Sequence, residues 1–163
     1  MLPAYAGKVK TLEELVATVH DLRRQGKQVV FTNGCFDLLH RGHVRYLDQA
    51  RRLGDVLIVA INSDDSVRAL KGPDRPVMSH EERAELVAAL AAVDYVLIFE
   101  EPDPEKVIGA LEPDLLVKGG DWPMDQVVGR QIVERRGGRV CTLPYVEGAS
   151  SSQLLQRIRE GEG

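Results

Sequence analysis

The chain has 163 residues, 44% hydrophobic and 28% charged, which suits one soluble globular domain with a sizeable core. Its net charge of −4 gives no electrostatic basis for nucleic-acid binding. No apolar run approaches membrane-spanning length, and the start Met1-Leu2-Pro3-Ala4-Tyr5 lacks a signal peptide's basic-then-apolar layout.

Two cysteines, Cys35 and Cys141, suggest neither a disulfide framework nor a zinc site, so a reducing cytoplasm is the expected compartment. Residues 1–10 read as an N-terminal extension, 11–26 as a leading helix and 28–160 as an α/β core, all in a single domain. Thr11-Leu12-Glu13-Glu14 is a capping box. The helix behind it carries Leu12, Leu15, Val16, Val19 and Leu22 on one face and stops near Gly26. Gln28 to Thr32 is a first apolar strand. It breaks at Asn33-Gly34 and passes through Cys35-Phe36-Asp37-Leu38-Leu39 into a helix from about Gly42 to Leu53-Gly54.

Asp55 to Ile61 is a second buried strand, followed by the polar break Asn62-Ser63-Asp64-Asp65. A segment rich in Gly and Pro, Lys71 to Pro76, is expected to be neither helix nor strand. Ser79-His80-Glu81-Glu82 is a second capping box, before an alanine-rich helix from Arg83 to Ala92. Tyr95 to Phe99 is strand three, Pro104 to Leu111 a short helix with proline in its first turn, and Asp114 to Val117 strand four. Asp125 to Arg136 reads as helix, Arg139 to Leu143 as strand five, and the last helix starts in Ser150-Ser151-Ser152 with Leu154, Leu155 and Ile158.

Strands that alternate with helices, each a continuous apolar run, predict a doubly wound, five-stranded parallel sheet of Rossmann-like type. Ligands of such sheets bind beyond the carboxyl ends of the strands, at the topological switch point. The unusual polar residues all follow strand ends: His40 and His43 after strand one, Asn62 to Asp64 after strand two, Lys118 to Trp122 after strand four, and the serine triplet after strand five.

A lone histidine beside an apolar run is usually structural. Two around a glycine, where a strand hands over to a helix N-terminus, point to an anion site. Gly42, without a Cβ, would let a phosphate approach the backbone. Lys71 and Lys118 add charge; Lys71 taken alone would be a solvated surface lysine. Ser150 to Ser152 are helix caps first, with hydroxyls and N–H groups that can also hold phosphate. Cys35 could be read as a nucleophile, but a strand end calls for a small buried residue. The P-loop, the G-x-G-x-x-G fingerprint and the G-x-S-x-G elbow are all missing. Phosphoryl or nucleotidyl transfer fits such a set, because it needs positioning and charge stabilisation more than covalent help.

Gly34-Cys35-Phe36-Asp37 followed by His40-Arg41-Gly42-His43 resembles the signature of the HxGH nucleotidyltransferase superfamily, of cytidylyltransferase-like type. Within it the chain is most similar to the D-glycero-β-D-manno-heptose 1-phosphate adenylyltransferases, over about Thr11 to Ile158. Val59-Ala60-Ile61-Asn62-Ser63-Asp64, Leu70-Lys71-Gly72 with Arg75-Pro76-Val77, and Asp114 to Asp121 carry that likeness. The resemblance implies transfer of AMP from ATP to heptose 1-phosphate, with Mg²⁺, giving ADP-heptose and pyrophosphate for lipopolysaccharide core. It implies that His40 and His43 stabilise the transferred α-phosphate and the bridging oxygen, and that Lys71, also catalytic, reaches the phosphates from a mobile loop. Asn33, Gly34, Cys35, Phe36, Gly42, Lys118, Gly119, Asp121, Gly148, Ser150, Ser151 and Ser152 would bind nucleotide and phosphates. Asp37, Asn62, Asp64, Arg75, Arg83 and Trp122 would lie near the sugar phosphate or metal, with Asp37 beside an Mg²⁺ held mostly by phosphates.

Relatives are often dimers, so a homodimer belongs to the expectation, and a separate kinase would supply heptose 1-phosphate. The cytidylyltransferase branch opens its last motif, R-T-E-G-I-S-T-T, with arginine. Here Tyr145 stands there, which argues against that branch. The competing readings are a small adenylyl- or cytidylyltransferase acting on glycerol 3-phosphate, FMN or another sugar phosphate, and a non-catalytic nucleotide-binding module.

Overall fold

The computed structural model describes residues 1–120 and 122–161. Among them the elements run α1 (Leu12–Arg24), β1 (Val29–Gly34), α2 (Arg41–Arg51), β2 (Val56–Asn62), α3 (Asp64–Lys71), α4 (His80–Ala88), β3 (Tyr95–Phe99), α5 (Glu105–Leu111), β4 (Leu115–Gly119), α6 (Arg130–Arg135), β5 (Arg139–Leu143) and α7 (Ser151–Glu160). No helix among the described residues is long and apolar enough to cross a membrane.

The five strands form one parallel sheet in the order β3-β2-β1-β4-β5. Period-two alternation splits each buried strand between two cores. Val29 and Phe31 of β1 face Leu15 and Val19 of α1, Ile108 and Leu111 of α5, and Val133 of α6. Val30 faces the other way, towards Leu47 and Ala50 of α2 and Ala84, Val87 and Ala88 of α4. The chain winds outward from β1 to β3, then crosses back to place β4 on the other side of β1. The switch point therefore lies between β1 and β4. The N-terminal segment covers the β3 edge: Val9 bridges Val96, the Lys10 amide donates to the Val96 carbonyl, and the Lys8 ammonium donates to the Val93 carbonyl at 2.7 Å.

Both capping boxes form, Thr11 with Glu14 and Ser79 with Glu82. Four local expectations are corrected. β1 does not break at Asn33-Gly34, because these residues pair with Ala60 and Ile61 and the ladder carries them to Gly34. The polar run after β2 is the start of a helix: Ser63 caps α3, which ends at Lys71 where Gly72 turns the chain at φ +100°. Lys71 is thus a helix terminus rather than a loop residue. The predicted helix from Asp125 to Arg136 is two pieces, a 3₁₀ turn at Met124–Gln126 and then α6. Gly129 separates them at φ +84°, in the left-handed region that glycine tolerates. The last helix, α7, lies on the surface with none of its residues buried, and Ile158 is exposed.

Gly129 and Gly137 make a controlled pair. Both have positive φ, but a Cβ on Gly129 would stand 2.5 Å from Ile108 Cδ1, whereas nothing lies within 4 Å of one on Gly137. Gly137→Ala should cost only the backbone term, about 1–2 kcal/mol, and Gly129→Ala clearly more. Urea midpoints of the two variants test this; equal losses would show that Ile108 yields freely.

Candidate nucleotide site

Beyond Gly34 the chain doubles back. Phe36 adopts φ +49°, and its ring occupies the space where a Cβ on Gly34 would sit, 2.9 Å away. The same ring meets His43 at 5.1 Å, and His43 stacks on His40 at 3.8 Å with the planes 22° apart. His40 is the N-cap of α2: its Nδ1 accepts the Gly42 N–H at 3.1 Å. With that lone pair occupied, a neutral His40 carries its proton on Nε2. Burial lowers the pKa of His40; burial and the neighbouring His40 and Lys71 charges lower that of His43 to about 4. Both rings are therefore neutral at physiological pH. The His43 Nδ1 is buried without a hydrogen-bond partner.

Gly42 also has a packing role here. A Cβ would fall 2.8 Å from the His40 ring and 3.0 Å from Ala149 Cβ, so the glycine lets α2 close against the loop before α7. That loop leads to Ser150, which caps α7 by accepting the Gln153 N–H. Ser151 donates to the Leu38 carbonyl at 2.8 Å and ties α7 to the turn after β1.

These parts surround one cavity of about 700 Å³ over the carboxyl ends of β1 and β4. From the first half of the chain, Asn33, Gly34, Cys35, Phe36, Asp37, His40, Gly42, His43 and Lys71 line it. From the second half come Lys118, Gly119, Trp122, Gly148, Ser150, Ser151 and Ser152. Lys118, on β4, donates to the Asn33 side chain on β1 and spans the switch point. Burial lowers its pKa to about 8. Cys35 is a thiol rather than a thiolate, because burial raises its pKa against the opposing pull of Lys71, Arg83 and Arg75.

Five expected residues sit differently. Asp37, expected beside a metal or sugar phosphate, is 1% exposed, with both oxygens committed: Arg75 Nε donates at 2.7 Å, and the Val77 and Met78 amides donate at 2.9–3.0 Å. Burial alone would raise its pKa, but those amides and Arg75 hold it below the ordinary carboxylate range. Arg75 is buried in that pair and faces the lesser cleft between Lys71 and α7. Arg83 is fully buried, donating to the Cys35 and Met78 carbonyls and to Asp64. Asn62, also buried, holds Ser66. Asp64 joins His80 and Glu81 in the one group of three metal-ligating side chains among the described residues. That group fits a cation poorly, because His80 Nδ1 already accepts the Asp64 N–H, Nε2 faces Glu81, and Arg83 pairs with Asp64. Asp121 lies outside the described residues.

Tyr46 and Tyr145 also line the cavity. The Tyr46 hydroxyl bonds Thr32 and the Val117 carbonyl. Its position three residues after His43 puts it on the same helix face, a signal the sequence did carry.

Residues 31–157 match the cytidylyltransferase-like family. The chain is 52% identical over 154 residues to the bifunctional protein HldE of Syntrophotalea carbinolica, covering 94% of this chain. It is 53% identical over 153 residues to that of Trichlorobacter lovleyi, again over 94%. It spans 31% of the length of either relative. Among solved structures, a lipopolysaccharide core biosynthesis protein from Thermoplasma volcanium superposes with a TM-score of 0.63 at 27% identity, over 76% of this chain and all of that one. Pantothenate synthetase from Thermus thermophilus shares the fold at a TM-score of 0.61 and 18% identity, over 90% of this chain and 67% of that one. With this fold, and with the HxGH histidines stacked at the mouth of its switch point, the chain belongs to the cytidylyltransferase-like family.

Proposed function

We propose that the chain transfers AMP from ATP to D-glycero-β-D-manno-heptose 1-phosphate, releasing pyrophosphate and forming ADP-heptose. What carries the reading is the convergence of His40, His43, Lys71 and the α7 N-terminus on one cavity, in a chain about half identical to HldE proteins. A phosphate oxygen of the acceptor attacks the α-phosphorus in line. The bond from that phosphorus to the bridging oxygen breaks, and pyrophosphate leaves. The attacking oxygen is already ionised, so no general base is needed.

The histidines act as neutral donors. His40 Nε2–H and the His43 imidazole supply hydrogen bonds where charge builds on the α-phosphate and the bridging oxygen. Lys71, at the exposed end of α3, carries its ammonium to the β- and γ-phosphates, while Ser150–Ser152 offer hydroxyls and the amides of the first turn of α7. Mg²⁺ enters with ATP as part of the substrate. The cavity's polar lining is mostly imidazole, ammonium, hydroxyl, amide and backbone groups; of the two carboxylates among its described residues, Asp37 has both oxygens committed and Glu147 lies in the loop before α7.

With MgATP, pyrophosphate should appear only when heptose 1β-phosphate is added. A panel of ATP and CTP against heptose 1-phosphate, glycerol 3-phosphate and FMN measures this; faster release with CTP and glycerol 3-phosphate would refute the assignment.

His40 has two jobs that substitutions separate. His40→Ala removes both cap and donor, whereas His40→Asn keeps a capping oxygen. Both should lower kcat on the order of a hundredfold, but only His40→Ala should also lower Tm. Recovery of kcat in His40→Asn would mean that the cap alone matters. Lys71→Ala should cut turnover at unchanged Tm, and Lys71→Arg should rescue poorly, because a planar fork does not replace a compact ammonium.

The neutral histidines also set an acid limit. His43 is pulled to about 4 in the fold and titrates near 6.5 when unfolded. Between those values the unfolded chain binds more protons, so stability should fall as pH drops from about 6.5 towards 4. His43→Gln should flatten that slope in Tm against pH; an unchanged slope would place the acid sensitivity elsewhere.

A further inference from the structure

The two ends of the cavity differ in chemistry. The histidine pair, Lys71 and the α7 N-terminus lie on the β1–α2 side. On the β4–β5 side the lining includes Trp122, Val128, Pro144 and Tyr145. Among the described residues, the one cation there, Lys118, is committed to Asn33. From this we infer that Tyr145 and Trp122 form an aromatic platform on which the nucleotide base stacks, and that Tyr145 thereby favours a purine triphosphate. The inference rests on the nucleotidyl-transfer reading and assigns its base subsite.

Three observations support it. Tyr145 is 73% exposed and Trp122 51%, so two large aromatic side chains of one cavity stand in water. Single exposed aromatics need no explanation, but two at the same end of a concave site offer π-faces to a flat ligand.

The Tyr145 ring is also seated rather than loose. It rests on bare backbone: a Cβ on Gly120 would lie 2.1 Å from Tyr145 Cε2, and one on Gly119 would lie 3.4 Å from Tyr145 Cε1 and 3.5 Å from Tyr46 Cε2. Gly120 holds φ +88°, which a side chain would resist, and its N–H donates to the Leu143 carbonyl at 2.7 Å. That bond locks the turn after β4 to the end of β5, two residues before Tyr145. Tyr46, anchored through Thr32 and Val117, lies beside Tyr145 at Gly119.

The third observation is the residue type. A phenol cannot pair with a triphosphate as a guanidinium would, but its ring stacks on a base, and a purine presents more area than a pyrimidine.

Trp122 is the only tryptophan in the chain, so its fluorescence reports the platform directly. The full chain, wild type and with Tyr145→Ala or Tyr145→Phe, is titrated with MgATP, MgCTP and magnesium tripolyphosphate, with Tm checked for each variant. In the wild type, MgATP should quench Trp122 saturably and bind more tightly than MgCTP, whereas tripolyphosphate should compete without comparable quenching. Tyr145→Ala should weaken MgATP on the order of tenfold or more and leave tripolyphosphate unchanged, and Tyr145→Phe should match wild type. Wild-type affinity for MgATP in Tyr145→Ala, or parallel loss of ATP and tripolyphosphate, overturns the platform and leaves the reaction standing. Failure of the wild type to bind either ligand overturns both.

Discussion

The guanidinium of Arg83 is fully buried, and its three hydrogen bonds go to the Cys35 carbonyl, the Met78 carbonyl and the Asp64 carboxylate. A buried cation is costly unless it is paired and its donors are used. Satisfying this one fixes the end of β1, the start of α3 and the segment before α4 relative to α4. Asp37 and Arg75 form a second buried pair that clasps the turn after β1 to the segment after α3, although one Arg75 nitrogen, Nη2, is left without a partner. Such pairs contribute little net stability compared with apolar packing, but they tolerate few alternative arrangements. The histidines and Lys71 come from segments with no shared secondary structure, and these two ties hold them on the same rim.

Charge in the cavity is distributed with economy. Two imidazoles stacked at 3.8 Å could not both be cations, and burial keeps them neutral donors instead. Lys118 is drawn down to about 8 and leans on Asn33. Positive charge at the cavity thus comes from Lys71 at the end of α3 and from the helix N-termini. A triphosphate entering such a site meets donors that need no reorganisation.

Much of this was legible in the chain. Strands 95–99 and 139–143 stand out by their β-branched and apolar residues, and the structure begins and ends them at those residues. Both capping boxes were explicit, and His40 and His43, together with Lys71, Lys118 and the serine triplet, do meet in one cavity. The failures have separate causes. Asn33-Gly34 is turn-like by composition, yet the ladder to β2 overrode it. Ser63 is a helix cap hidden in a polar run. Arg83 lies within α4, and Asn62 and Asp64 follow the second strand; sequence alone could not tell that these polar groups are spent on holding neighbouring segments. Tyr145 read only as a missing arginine, because the ring's seat is made of backbone that two glycines leave uncovered.

The His40 imidazole spends one nitrogen on starting α2 and leaves the other for the cavity. In the proposed reaction, folding and chemistry draw on opposite edges of a single ring, and divergence can separate them. Serine, threonine or asparagine at this position would preserve the helix start and delete the donor. A descendant could thus give up turnover in one substitution while keeping its shape and its affinity for nucleotide. In this architecture the passage from enzyme to ligand sensor is one residue long.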